Sequence, residues 1–205
     1  MNSSWVNQVK AVFAKEWTVE MRAKHGLFTA GLFGLLAVSA MSLAAFADKP
    51  TPGLAATMLA ITLLFSAVMT LPRTMIVEDE QRTFELLLLL ANPSAAFFGK
   101  ALYNALNTVA SSTVLSFVFI IMTSTPVVNG WLFAAGLVTL SLSLAGGLSL
   151  CGALVMGAAN RWILVGVIAL PLLVPVVFLG VGALRASLGA GLPDVGWQNV
   201  VALSG

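Results

Sequence analysis

Apolar residues run along this chain in blocks much longer than a soluble core uses, and polar residues gather between the blocks. Five runs, 26–47, 53–72, 94–123, 131–156 and 162–184, are each long enough as helices to cross a hydrocarbon core of about 30 Å. Ahead of them the pattern is different. Trp5, Val6, Val9, Val12, Phe13 and Trp17 share one face of a helical wheel, and Asn7, Lys15, Thr18 and Arg22 lie opposite. That periodicity predicts an amphipathic helix over 3–24 lying in the membrane interface. The run at 26–47 is too long and too late for a cleaved signal peptide, so the first span stays. A sixth apolar segment begins near Trp197, but WQNVVALSG stops after nine residues. The expectation is a truncated chain or an incomplete last helix. Together these elements predict an all-α, polytopic membrane protein with one transmembrane domain over 1–205: an interfacial helix plus six spans, the sixth cut short.

Two breaks in the pattern carry the most information. Glu16 and Glu20, spaced i,i+4, fall within the apolar face of the first helix. Either they reach out into headgroups and water, or they pair with a cytoplasmic arginine, Arg73 or Arg161, and hold the arm against the bundle. The second break is 73–93, RTMIVEDEQRTFELLLLLANP. Glu78, Asp79, Glu80, Arg82 and Glu85 cannot lie in lipid, because each ionised group would cost several kcal/mol there. A simple connector needs only a few residues, whereas this segment has enough polar sequence for about two helical turns before its apolar end re-enters the membrane.

Composition agrees with the membrane reading. Of 205 residues, 59% are hydrophobic and 9% charged, against about a quarter charged in a soluble domain. The net charge of +2 is spread over loops, which gives no basic stripe for nucleic acid. Orientation follows from lysine and arginine placement. With the N-terminus inside, Lys10, Lys15, Arg22, Lys24, Arg73, Arg82, Lys100 and Arg161 are cytoplasmic, and only Lys49 and Arg185 lie outside. The acidic segment then faces the cytoplasm, within reach of an ATPase.

The fourth span carries small residues at i,i+4: Ser143, Gly147 and Cys151 on one stripe, Ser149, Ala153 and Gly157 on another. Such stripes predict close helix packing. In the fifth span Pro171 and Pro175 stand one turn apart, where each removes a backbone hydrogen bond and favours a bend that can shape a groove or joint. A phosphate-binding loop is missing: near Gly99-Lys100, Ser94 stands where its first glycine belongs and Ala101 where Ser or Thr belongs. One histidine and one cysteine make neither a metal site nor a dyad. The sequence therefore carries no signal of an enzyme and none of a cofactor or metal site of its own. His25 lies at the cytoplasmic boundary, and methionines such as Met58 and Met69 suit flexible packing.

An interfacial arm, six spans and an acidic cytoplasmic helix between spans two and three resemble the membrane subunit of an ABC-2 type transporter. VEDEQRTFELLLLLANPSAAFFGKALYNAL, LVGVIALPLLVPVVFLGVGALR and AKEWTVEMRAKHGLF are similar, in order, to the coupling loop with third-span start, the fifth span and the N-terminal arm of the CcmB family. In one departure, Arg82 stands where ABC-2 relatives usually have a glycine. The resemblance implies a haem-exporter membrane subunit of cytochrome c maturation in the bacterial inner membrane. It further implies docking of an ATPase, CcmA, on Glu78, Asp79, Glu80, Arg82 and Glu85, with CcmC, CcmD and the haem chaperone CcmE as partners. On that reading ATP is hydrolysed by the partner and haem is the substrate of the complex. A general ABC-2 permease for a lipid, polymer or drug, and an assembly subunit without a transport path, share the features drawn from composition.

Overall fold

A computed structural model describes residues 4–23, 25–44, 49–70, 74, 76, 92–158 and 160–205, of which 23, 25–30 and 70 are described by backbone only. The helices among the described residues are α1 (Trp5–Ala23), α2 (His25–Ala44), α3 (Pro52–Thr70), α4 (Pro93–Thr123), α5 (Gly130–Leu154), α6 (Arg161–Ser187) and α7 (Pro193–Ser204). All regular structure among these residues is helical, the solution lipid imposes by leaving no water for unpaired backbone groups. Among the described residues four helices are long and apolar enough to cross a membrane: α3 over Pro52–Met69, α4, α5 and α6. The part of α2 with described side chains, Gly31–Ala44, is apolar but shorter. Each of these helices begins and ends within a few residues of the apolar runs read from the sequence.

Local chemistry sets the ends. Pro93 opens α4, where its missing N–H is no loss, and the Asn92 carbonyl accepts from Ala96 N at 3.0 Å. Asn129 caps α5 with its side chain, accepting from Leu132 N at 3.1 Å. After α5 the chain turns through Gly157 at φ +81°, a left-handed conformation that favours glycine. α6 continues through both Pro171 and Pro175.

The core lies among α3, α4, α5 and α6, built from Leu59, Leu63, Leu115, Phe119, Leu140, Leu144, Leu148, Leu173 and Leu184. Lipid tails are as apolar as leucine, so tight packing rather than the hydrophobic effect must hold such helices together. The small residues serve that purpose. A methyl group added at Gly180 would stand 2.5 Å from a Leu140 methyl, and one at Gly147 would stand 3.3 Å from Leu173. Of the two stripes read in the fourth span, Gly147 and Cys151 pack inward, Ser143 donates to the Leu203 carbonyl of α7 at 2.8 Å, and Ser149 reaches α4. α7 closes one end of the bundle by seating Gly196 against Leu132 and Ala186.

Candidate functional site

The arm α1 lies on the N-terminal half of α4. Gly99 makes the close approach possible, since a methyl there would stand 2.7 Å from Val12 Cβ and 3.0 Å from the Val9 carbonyl. Around this contact the Trp5 ring packs edge-on against Phe98 with centroids 5.7 Å apart, and Phe13 bridges Trp17 and Tyr103. Two polar contacts fix the register: Trp5 Nε1 donates to Ser94 Oγ at 3.2 Å, and Gln8 Oε1 accepts from Asn92 N at 3.0 Å. The apolar face of the arm is therefore divided. Val12 is buried on α4, while Trp5, Val6 and Trp17 remain exposed, in the manner of interfacial anchors.

Glu16 enters this seam and is 8% exposed. Its Oε1 accepts from Lys100 Nζ at 2.8 Å and from Lys15 Nζ at 3.2 Å. Lys100 is fully buried and donates as well to the Thr74 carbonyl at 2.9 Å. One turn along α4, Asn104 Nδ2 donates to Thr74 Oγ1 at 3.1 Å and to Ser149 Oγ of α5 at 2.8 Å. The result is a polar knot that ties the arm, α4 and α5 to the chain just before the acidic segment. A buried lysine and glutamate tolerate low dielectric only as a hydrogen-bonded pair, because either charge left alone would carry its full desolvation cost.

The sequence reading expects Arg73 or Arg161 as partner of Glu16; in the structure the partner is Lys100. The reason is geometric: α1 packs on α4 and α2, so the nearest buried cation is the one α4 presents. Arg73 lies outside the described residues, and Arg161 Nε donates to the Ala158 carbonyl at 3.1 Å. Glu20, one turn beyond Glu16, is half-buried and within electrostatic reach of the Tyr103 hydroxyl. Glu78, Asp79, Glu80, Arg82, Glu85 and the side chain of His25 also lie outside the described residues. Pro171 and Pro175 are exposed on the outer face of α6, beside exposed Leu170, Val174 and Phe178.

Sequence reasoning used Lys100 as a vote on topology and in excluding a phosphate-binding loop, and overlooked Asn104 and Thr74. One signal for them existed: a lysine and an asparagine one turn apart inside an apolar span, where polar groups face a bundle interior rather than lipid.

Gly99→Val tests whether the arm must lie this close. The added side chain would overlap Val12, and overpacking of this kind costs about 1–3 kcal/mol. The arm is expected to lift, and a cysteine placed at Val12 should become reactive to water-soluble thiol reagents. Continued protection at that position would mean that α4 and α1 can adjust around a larger residue.

A family model described as CcmB protein matches residues 7–203, nearly the whole chain, and the chain belongs to that family. Comparisons with curated proteins and with solved structures give no match.

Proposed function

We propose that this member of the CcmB family, a family of haem-exporter membrane subunits of cytochrome c maturation, acts as the force-receiving subunit of its complex. A separate ATPase docks on the cytoplasmic segment 73–93 through Glu78, Asp79, Glu80, Arg82 and Glu85. Nucleotide-driven movement of that segment passes through the Thr74 knot to α4, α5 and the arm, and serves delivery of haem to a chaperone on the periplasmic side. The subunit sits in the bacterial inner membrane with its N-terminus in the cytoplasm, beside CcmC and CcmD, and CcmA supplies ATP hydrolysis.

The observation that carries this reading is the knot itself. Thr74, four residues before Glu78, is held through its carbonyl by Lys100 and through its hydroxyl by Asn104. A displacement of the acidic segment therefore pulls on buried charge and hydrogen bonds rather than on a loose tether. Buried polar networks rigidify what they join through the hydrogen bonds they make.

Co-purification of the full-length chain in mild detergent is the direct test. The ATPase and the haem-handling membrane proteins should come with it, and cells lacking the chain should fail to mature c-type cytochromes. Recovery of the chain without an ATPase, together with normal cytochrome maturation in its absence, would reject the assignment. The proline pair gives a second expectation. Replacing Pro171 and Pro175 together with alanine should leave insertion intact, since alanine is a better helix former, and should impair cytochrome maturation if their outward face meets a partner or supplies a needed bend. Normal maturation in the double variant would make that face incidental.

A further inference from the structure

Lys100 and Asn104 stand one turn apart on α4, both fully buried, and both act on Thr74. Side chains at this spacing are neighbours on a helix. The ammonium of Lys100 donates to Glu16 Oε1 at 2.8 Å and to the Thr74 carbonyl at 2.9 Å. The carboxamide of Asn104 donates from Nδ2 to Thr74 Oγ1 and to Ser149 Oγ. Its oxygen, Oδ1, is buried with no hydrogen-bond partner.

A buried acceptor without a donor has lost its hydration and regained nothing. This one is an amide oxygen, the same kind of acceptor as the Thr74 carbonyl. The ammonium can therefore exchange one for the other and never stand without an acceptor, which is the condition that burial imposes on a charge. The two arrangements are balanced. With Lys100 on Thr74, Oδ1 is orphaned; with Lys100 on Asn104, Oδ1 is satisfied and the Thr74 carbonyl leaves with its segment. Two features oppose the exchange: the bond from Asn104 to Thr74 Oγ1, and Ile76, which is 0% exposed and packs with Val155 and Val165. The contacts of Lys100 with Glu16 and of Asn104 with Ser149 involve no atom of Thr74 and can persist in both.

We propose that Asn104 Oδ1 is a second acceptor for Lys100, which makes the knot a two-position latch. When the segment that follows Thr74 is displaced, the ammonium passes from the Thr74 carbonyl to Oδ1, and Ile76 leaves its place against Val155 and Val165. The latch rests on the force-receiving role proposed above for 73–93 and deepens it, because it lets that segment move without stranding the Glu16–Lys100 pair.

Thiol reactivity at position 76 tests it, because a water-soluble methanethiosulfonate reacts with a thiolate, and thiolates form where water reaches. Cys151, the chain's single native thiol, is first removed as Cys151→Ala. The parent is Ile76→Cys in that background, in the full-length chain in permeabilised native membranes. Asn104→Asp gives the second position a full negative charge, so Lys100 should stay there. The thiol should then react about ten-fold or more faster than in the parent, the ratio expected for one charge-assisted hydrogen bond. Asn104→Leu removes the second position, and the reaction should be no faster than in the parent. Faster reaction in both variants would mean that Asn104 only ties Thr74 down, and an unchanged rate in Asn104→Asp would mean that no second position exists. Either result overturns the proposal. Thr74→Val gives an independent reading should a buried aspartate prevent insertion. It removes the tie to Asn104 and keeps the carbonyl, so the thiol should become reactive, and adding Asn104→Leu should protect it again. A double variant as reactive as Thr74→Val alone, or a Thr74→Val chain no more reactive than the parent, would equally overturn the latch. None of these reactions needs the ATPase, so they judge the latch separately from the force-receiving reading, which co-purification decides.

Discussion

Replacing Lys100 with methionine should loosen the arm from the bundle more than any other single change among the described residues. The substitution keeps a long side chain of similar volume but leaves the carboxylate of Glu16, itself 8% exposed, without its buried partner. Removing one member of such a pair costs about 3–5 kcal/mol. Lys15 softens the loss only slightly, because its side chain is 43% exposed and its attraction is screened by solvent. The Thr74 carbonyl would lose its lysine donor in the same step. The arm should therefore become accessible to protease and to thiol reagents at Val12, and Tm in detergent should drop by several degrees. Adding Glu16→Leu to Lys100→Met should recover part of the loss, since apolar replacement of both members of a buried pair is often neutral. An unchanged Tm and a protected arm in Lys100→Met would show that the pair contributes no net stability. A double variant worse than either single one would instead assign the loss to shape rather than charge.

Reversing the charge at Glu78 and Glu80 together should release the ATPase. A charged contact buried at a subunit interface and then broken costs about 2–5 kcal/mol, or roughly 30-fold to several thousand-fold in affinity. The lysine variants should insert and keep the arm in place, since neither residue belongs to the Glu16–Lys100 pair. Co-purification of the ATPase should fall steeply, and cytochrome maturation with it. Full co-purification with full maturation would mean that these carboxylates are only solvated. Loss of the ATPase in Lys100→Met, with retention in the charge-reversed variant, would move the docking surface from the acidic segment to the arm.

Much of the architecture was legible from residue order alone, because the bilayer is a solvent with a fixed thickness. It demands helices and sets their length, so uninterrupted apolar runs locate α3, α4, α5 and α6 without any knowledge of their neighbours. Turn chemistry is equally local: Pro93 and Asn129 mark helix starts wherever those helices are placed. Amphipathic spacing likewise located the arm, and the motifs around Glu78–Glu85 and Pro171–Pro175 carried the family resemblance. What residue order could not decide was which groups meet. Periodicity gives the direction of a side chain around its own helix but not the depth or rotation of the helix it faces. Glu16 was thus seen as either reaching into water or pairing with an arginine, and only the seating of Val12 on Gly99 brings Lys100 instead to 2.8 Å from it. The same packing joins Asn104 to Thr74 and Ser149, 30 and 45 residues away in the chain. It also turns Pro171 and Pro175 outward from the bundle, and leaves Ser116 Oγ buried with no partner. Each of these depends on the relative placement of two or more helices, which small residues and steric fit determine and which no single helix encodes.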